Sequence, residues 1–158
     1  VDIPDLPPDI RFARMPLTEE AVRASFEVKR AALGPIIVQR WEWDEAFQQQ
    51  IHRQHFREKP FFGIARDGRQ IGTVSLMPLE NTLRFGEFYL YPDQQGQGLG
   101  SRILRHCLAL ADAGALPVRL EYLKWNPVGS LYRRHGFVVI GETDIHWQMQ
   151  RMPLPPSP

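Results

Sequence analysis

The chain has 158 residues, a formal net charge of +1, charges of both signs along its length and one cysteine. That length supports one domain with a real core and falls short of two, and the near-neutral balance disfavours an electrostatic nucleic-acid binder. No apolar run approaches the roughly 18 residues of a membrane span and no charged-then-apolar leader opens the sequence, so the expectation is a cytoplasmic protein without a membrane partner.

Residues 1–9 and 152–158 are proline-rich and read as tails around a single domain over residues 10–151. Ile10 to Arg14 is a short strand. Thr18 suits a helix N-cap, followed by Glu19 and Glu20 at the positive helix end. Val22, Phe26 and Leu33 give that helix its buried face, and Gly34-Pro35 is expected to stop it. Asp44 caps a second helix with Phe47 and Ile51 inward. Phe61 to Arg66 and Gln70 to Met77 flank Asp67-Gly68, a hairpin signal because both residues tolerate positive φ. Leu83 to Tyr91 adds a third strand.

Next comes Tyr91 to Ser101, YPDQQGQGLGS, in which Gly96, Gly98 and Gly100 sit where a strand gives way to a helix. Leu99, Ile103, Leu104, Cys107, Leu108 and Ala111 recur at helical spacing, and Cys107 on that stripe reads as an inert small hydrophobe. Unpaired N–H groups and the positive dipole end meet at this helix start, which makes an anion cradle suited to a pyrophosphate. The glycine spacing is not that of a GxGxxG dinucleotide loop, and the lysine and hydroxyl of a Walker loop are absent. Val118 to Tyr122 then returns as a parallel crossover strand. A helix from Val128 to His135 ends at Gly136, and Phe137 to Ile140 and Asp144 to Gln150 close the sheet. The fold class is α/β, a mixed and mostly antiparallel central sheet with helices on both faces.

Gln95-x-x-Gly98-x-Gly100 after Leu90-x-Pro92 resembles the acetyl-coenzyme A loop of the GNAT superfamily of N-acetyltransferases. NPVGSLYRRHGF, with Asn126, Tyr132 and Gly136-Phe137, resembles the superfamily's second motif. Together the two motifs cover about Leu83 to Phe137. Trp41 to Glu45 and the closing HWQM resemble one bacterial subgroup. Val128 and Gly129 stand where an alanine is usual, and Gln97 replaces a common lysine or arginine.

The resemblance implies that the strands ending at Leu90 and Tyr122 start paired and then splay to admit pantetheine, with the Leu90 main chain bonding the arm or the thioester carbonyl. It places the pyrophosphate on Gln95, Gly96, Gln97, Gly98, Leu99, Gly100 and Ser101, with Asn126 either binding the arm or capping the following helix. Tyr132 matches the usual general acid, since a phenol stays protonated at neutral pH and can serve a leaving thiolate. Glu87 and His146 are rival general bases. The bulge state of the strand decides where Glu87 points. Trp41, Trp43, Tyr89, Tyr122 and Trp125 are candidates for an aromatic acceptor wall. Acetyl-CoA is the expected cosubstrate, no metal is expected, and the acceptor is a small-molecule or peptide amine whose identity no residue pattern specifies. The different-class alternative is a non-catalytic acyl-CoA sensor. A homodimer through Ile145 to Met149 is a further expectation.

Overall fold

The computed structural model describes residues 1–155; residues 156–158, the end of the proline-rich segment expected over 152–158, lie outside the described residues. The elements are β1 (Ile10–Arg14), α1 (Glu19–Ile37), α2 (Glu45–Glu58), β2 (Phe61–Arg66), β3 (Arg69–Pro78), β4 (Leu83–Leu90), α3 (Leu99–Ala113), β5 (Val118–Leu123), α4 (Gly129–Arg134), β6 (Val138–Glu142) and β7 (His146–Arg151). The strands form one mixed sheet in the order β1-β2-β3-β4-β5-β7-β6. Two compact units divide the chain. One comprises Asp2–Ser75 and Glu87–Leu99, the other Leu76–Gly86 and Gly100 onward, so β3 and β4 each contribute residues to both.

In the first unit β1 pairs antiparallel with β2, and β2 with β3 through the expected hairpin. Asp67 and Gly68 have φ of 51° and 79°, the left-handed pair that a two-residue hairpin turn requires. Thr18 accepts a hydrogen bond from the Ala21 N–H and Asp44 from the Phe47 N–H, so both helix starts are capped as expected. The expected stop at Gly34-Pro35 is corrected: α1 runs to Ile37. Pro35 lies in the last turn, where its missing N–H removes one ladder bond while Val38 N–H still reaches the Gly34 carbonyl at 3.1 Å.

The inward faces also differ from expectation. On α1 the buried residues are Ala21, Ser25, Phe26, Val28, Lys29 and Ile37, and on α2 they are His52 and Phe56, whereas Phe47 is 53% exposed. His52 can face inward because its Nε2 lies 2.7 Å from Ser25 Oγ, which itself donates to the Val22 carbonyl. Burial lowers the His52 pKa to about 4, so it packs as a neutral ring, edge-on to Phe61 at 5.5 Å. Phe56 meets Phe61 at 5.0 Å.

In the second unit β4 begins parallel to β5, with Leu83 opposite Val118 and Arg84 opposite Arg119. The intervening α3 buries Ile103, Leu104, Cys107, Leu108 and Ala111, each isoleucine or leucine side chain worth about 1.5–3 kcal/mol when fully removed from water. Burial pushes the Cys107 thiol up to about 12, which leaves it unreactive. The expectation that Ile145 to Met149 pairs with a second copy is corrected. β7 is bonded antiparallel to β5 on one side and to β6 on the other, so it has no free edge. At its end Arg151, 6% exposed, forks onto Asp112 at 2.8 and 3.0 Å, and Asp112 also accepts the Leu154 N–H.

The Arg151 hydrogen bonds hold the Asp112 carboxyl below its usual range, against the opposing effect of partial burial. A depressed carboxyl stabilises the fold above the unfolded pKa and loses that effect as pH falls. Asp112→Asn is expected to cost about 2 kcal/mol in urea unfolding at pH 7, less than a fully buried pair because Asp112 is partly exposed, and the difference should narrow below about pH 4.

Candidate functional site

The glycine loop is built from main chain. Tyr91 N–H donates to the Ile71 carbonyl, and Pro92–Gln94 form a single tight 3-10 turn closed by Gln95 N–H on the Pro92 carbonyl. Gly96 and Gly98 both adopt φ of 76°, and nothing lies within 4 Å of where a Cβ would stand on either. The need for glycine is therefore conformational, since any other residue there costs roughly 1–2 kcal/mol. Gln95 Nε2 donates to the Leu90 carbonyl at 2.9 Å, and Gln97 Nε2 to the Asp93 carbonyl at 3.0 Å, while Asp93 pairs with Arg69 at 2.8 Å. Both glutamine amides brace the loop. What it offers an anion is the N–H groups of the exposed residues from Gly96 to Gly98, which run into the first turn of α3.

A second irregularity lies on β4, where the strand enters the first unit. Leu83, Phe85 and Glu87 alternate as buried residues, and then Leu90, an odd step further, is buried again. The break falls at Glu87, whose φ is 50° and whose carbonyl accepts the Thr73 hydroxyl at 2.9 Å. A left-handed residue in a strand redirects its side chain. Glu87, 8% exposed, accepts from Lys59 Nζ at 2.9 Å on Oε1. His55 Nδ1 lies 3.1 Å from the same oxygen without hydrogen-bond alignment, and Glu87 Oε2 is buried with no partner. Lys29, 4% exposed on α1, adds a further positive charge. Burial works to raise the Glu87 pKa, but His55, Lys59 and Lys29 together outweigh it and hold the carboxyl well below the usual range. Desolvation lowers the Lys29 pKa, against the attraction of Glu87.

His55, Lys59 and Lys29 were not singled out in the sequence. The available signal was Lys29 itself, which falls on the Val22, Phe26, Leu33 stripe at helical spacing, where a charged residue is out of place. The same unit holds a cleft of about 300 Å³ between α1 and α2, bordered by Phe26, His52, Glu27 and three arginines. Two of those arginines are already paired, Arg30 with Glu45 and Arg53 with Glu19. Trp43 packs 6.2 Å from Phe26 and donates to Glu45 at 3.0 Å, whereas Trp41 is 46% exposed and Tyr89 half-buried.

In the second unit, Tyr132 on α4 is buried among Phe85, Tyr122 and Phe137 at ring distances of 6.3, 5.8 and 5.7 Å. Burial, and then the neighbouring Tyr122, push its phenol pKa up, so it carries its proton throughout the physiological range. Tyr122 is itself buried, with Arg133 Nη1 3.4 Å from its hydroxyl. A Cβ on Gly129 would stand 2.4 Å from that hydroxyl, which explains glycine at a position where the resemblance leads one to expect alanine. Asn126 Oδ1 accepts the Val128 N–H at 3.1 Å and caps the turn into α4. His146 N–H donates to Thr143 Oγ1 at 2.9 Å, with its ring Nδ1 3.4 Å from the same oxygen, so it ties the turn before β7. Trp125 is half-buried. Among the described residues, no group of three or more His, Cys, Asp or Glu side chains is placed to hold a metal ion.

A family model described as an acetyltransferase (GNAT) domain matches residues 57–139, just over half of the chain. No curated protein matches. Among solved structures, the chain is similar to the PaiA N-acetyltransferase of Thermoplasma acidophilum in complex with coenzyme A, at 21% identity over 90% of this chain and 98% of that one, with a TM-score of 0.70. A Pyrococcus horikoshii protein superposes with a TM-score of 0.74 at 17% identity over 92% and 99% of the two chains. The ribosomal-protein-S18-alanine N-acetyltransferase of Escherichia coli gives 0.65 at 16% identity over 93% and 96%. At these identities the likeness is one of fold.

Glu87→Gln leaves Lys29 and Lys59 without their counter-charge. The expected loss is about 3 kcal/mol in urea unfolding at pH 7. Because the folded carboxyl is depressed, that loss should be constant above about pH 5 and shrink as pH falls further.

Proposed function

Because the chain belongs to the GNAT acetyltransferase family, we propose that it acetylates a primary amine by direct attack on the thioester of acetyl-coenzyme A in a ternary complex. The observation that carries this reading is the loop from Gln95 to Ser101. Two left-handed glycines followed at once by a helix present main-chain donors with little side-chain obstruction, which fits a diphosphate. When bound, the cosubstrate supplies an activated acetyl group.

The chain's own residues supply the remainder. The diphosphate rests on the amides of Gly96 to Ser101, the Gln95 N–H being held by the Pro92 carbonyl, and the Leu90 main chain receives the pantetheine arm as an added strand would. Leu90 N–H polarises the acetyl carbonyl as a fixed oxyanion donor. Tyr132 protonates the leaving thiolate, a role supported by a phenol that burial keeps protonated. Asn126 holds the turn that sets α4, and with it Tyr132. On the acceptor side the reading assigns contact with the amine's carrier to the aromatic residues Trp41, Trp43, Tyr89, Tyr122 and Trp125. A cytoplasmic setting, where acetyl-coenzyme A is made and used, completes the reading.

Calorimetric titration with coenzyme A should show binding by the natural chain and at least a tenfold loss for Gly98→Val, whose φ a β-branched residue cannot adopt cheaply. Tyr132→Phe should bind coenzyme A unchanged and release thiol from acetyl-coenzyme A about 100-fold more slowly across a panel of amines. Binding with no thiol release on any amine would instead favour an acyl-CoA sensor.

A further inference from the structure

A proton acceptor for the amine is absent from the reading so far, and the cluster at Glu87 supplies one. Glu87 itself is a poor base. Lys59 and His55 approach its Oε1, Lys29 acts on it from α1, and the carboxylate so held is strongly stabilised in its ionised form. His55 stands differently. Its side chain is 35% exposed, while its Nδ1 is buried 3.1 Å from Glu87 Oε1. A carboxylate at that nitrogen favours the tautomer with the proton on Nδ1, which leaves the lone pair of Nε2 on the other edge of the ring.

Position on the strand supports the same role. Glu87 lies three residues before Leu90 on β4, about 10 Å along the strand, in the unit that also contains His55. The left-handed backbone at Glu87 and its bond from Thr73 fix the carboxylate toward α2. Besides His55, the charged groups that act on Glu87 are Lys29 on α1 and Lys59 just past α2, and His52 lies one turn before His55 on α2.

We propose that His55 takes the proton from the acceptor amine and that Glu87 is the positioning residue that keeps its Nε2 unprotonated and aimed outward. The proposal rests on the acetyl-transfer reading. In the step, one N–H bond of the acceptor's ammonium breaks and its proton passes to His55 Nε2. The freed lone pair forms the C–N bond to the acetyl carbonyl carbon as the C–S bond breaks, and the thiolate takes a proton from Tyr132. The second proton shed by nitrogen restores the Tyr132 phenol, and His55 returns its own to solvent, the single proton released overall.

Two measurements on the full chain decide the matter. Nitrogen-15 NMR of the imidazoles at pH 7.5 should find His55 protonated on Nδ1 and bare on Nε2, with Glu87→Gln shifting it toward the Nε2-protonated form. A natural chain already protonated on Nε2 overturns the proposal without reference to turnover. Thiol release should then be followed with primary alkylamines, which are cationic at neutral pH, and with hydroxylamine, which is largely neutral there. His55→Gln should lower kcat for alkylamines about 100-fold, remove the acid limb of their pH profile, leave coenzyme A affinity unchanged and largely spare hydroxylamine. Equal losses with both nucleophiles, or an intact pH profile, overturn it. If the natural chain binds coenzyme A but acetylates no amine, the acetyl-transfer reading fails and takes this one with it. If acetylation proceeds and Tyr132→Phe impairs it while His55→Gln does not, only the role of His55 falls.

Discussion

One buried carboxylate organises the first unit. Glu87 sits in a strand, with its backbone in a left-handed conformation that costs a non-glycine residue on the order of 1 kcal/mol or more, and with its charge almost fully withdrawn from water. Neither expense is tolerable alone. Cations from α1 and from the segment just past α2 compensate the charge, with the His55 ring of α2 beside it, and the Thr73 hydroxyl fixes the kink. The two helices and β4 are thereby held in one register by charge, where a purely apolar contact would permit sliding. A buried ion cluster is a weak source of net stability, because desolvation consumes much of the attraction. Its value here is placement: it leaves a histidine ring oriented at the protein surface by a charge behind it.

The glycine loop works on the opposite principle. It contains no buried charge, and its glutamine side chains are spent on carbonyls of the loop and the strand end. The donors it presents are main-chain N–H groups, which two left-handed glycines turn into an unusual path before α3 begins. Main-chain donors have few degrees of freedom left to lose, so an anion received there is held at small entropic cost. The arrangement suits a ligand whose diphosphate is constant while the group it carries is the part that reacts.

Steric fit governs the second unit. Tyr122 occupies space that a side chain at position 129 would need, and glycine there lets α4 settle with Tyr132 against Tyr122, Phe85 and Phe137. Burial then keeps the phenol protonated. Gly129, a departure from the family pattern as a motif, is the complement of Tyr122 in the folded chain.

Much of this was legible from short-range signals. The strand positions, the Asp67-Gly68 turn, both N-caps and the α3 stripe are local in sequence and energy, and appear as read; so does the parallel return of β5, which follows from chain handedness. The loop and the Tyr132 motif were legible because special backbone angles demand glycine at fixed spacing. Other features depended on partners far along the chain. Pro35 extends α1 because it falls in a last turn that tolerates it, and His52 replaces Phe47 on the inner face because Ser25, 27 residues away, satisfies it. The segment expected to offer a dimer edge is enclosed because β7 is bonded to β5 on one side and to β6 on the other. The sequence by itself determined the element types, the family pattern and the glycine loop, since each is written in neighbouring residues. Only the tertiary structure decided that Glu87 turns toward Lys59 and His55, because a charge is brought inward only where remote counter-charges converge on it, and no periodicity records that convergence.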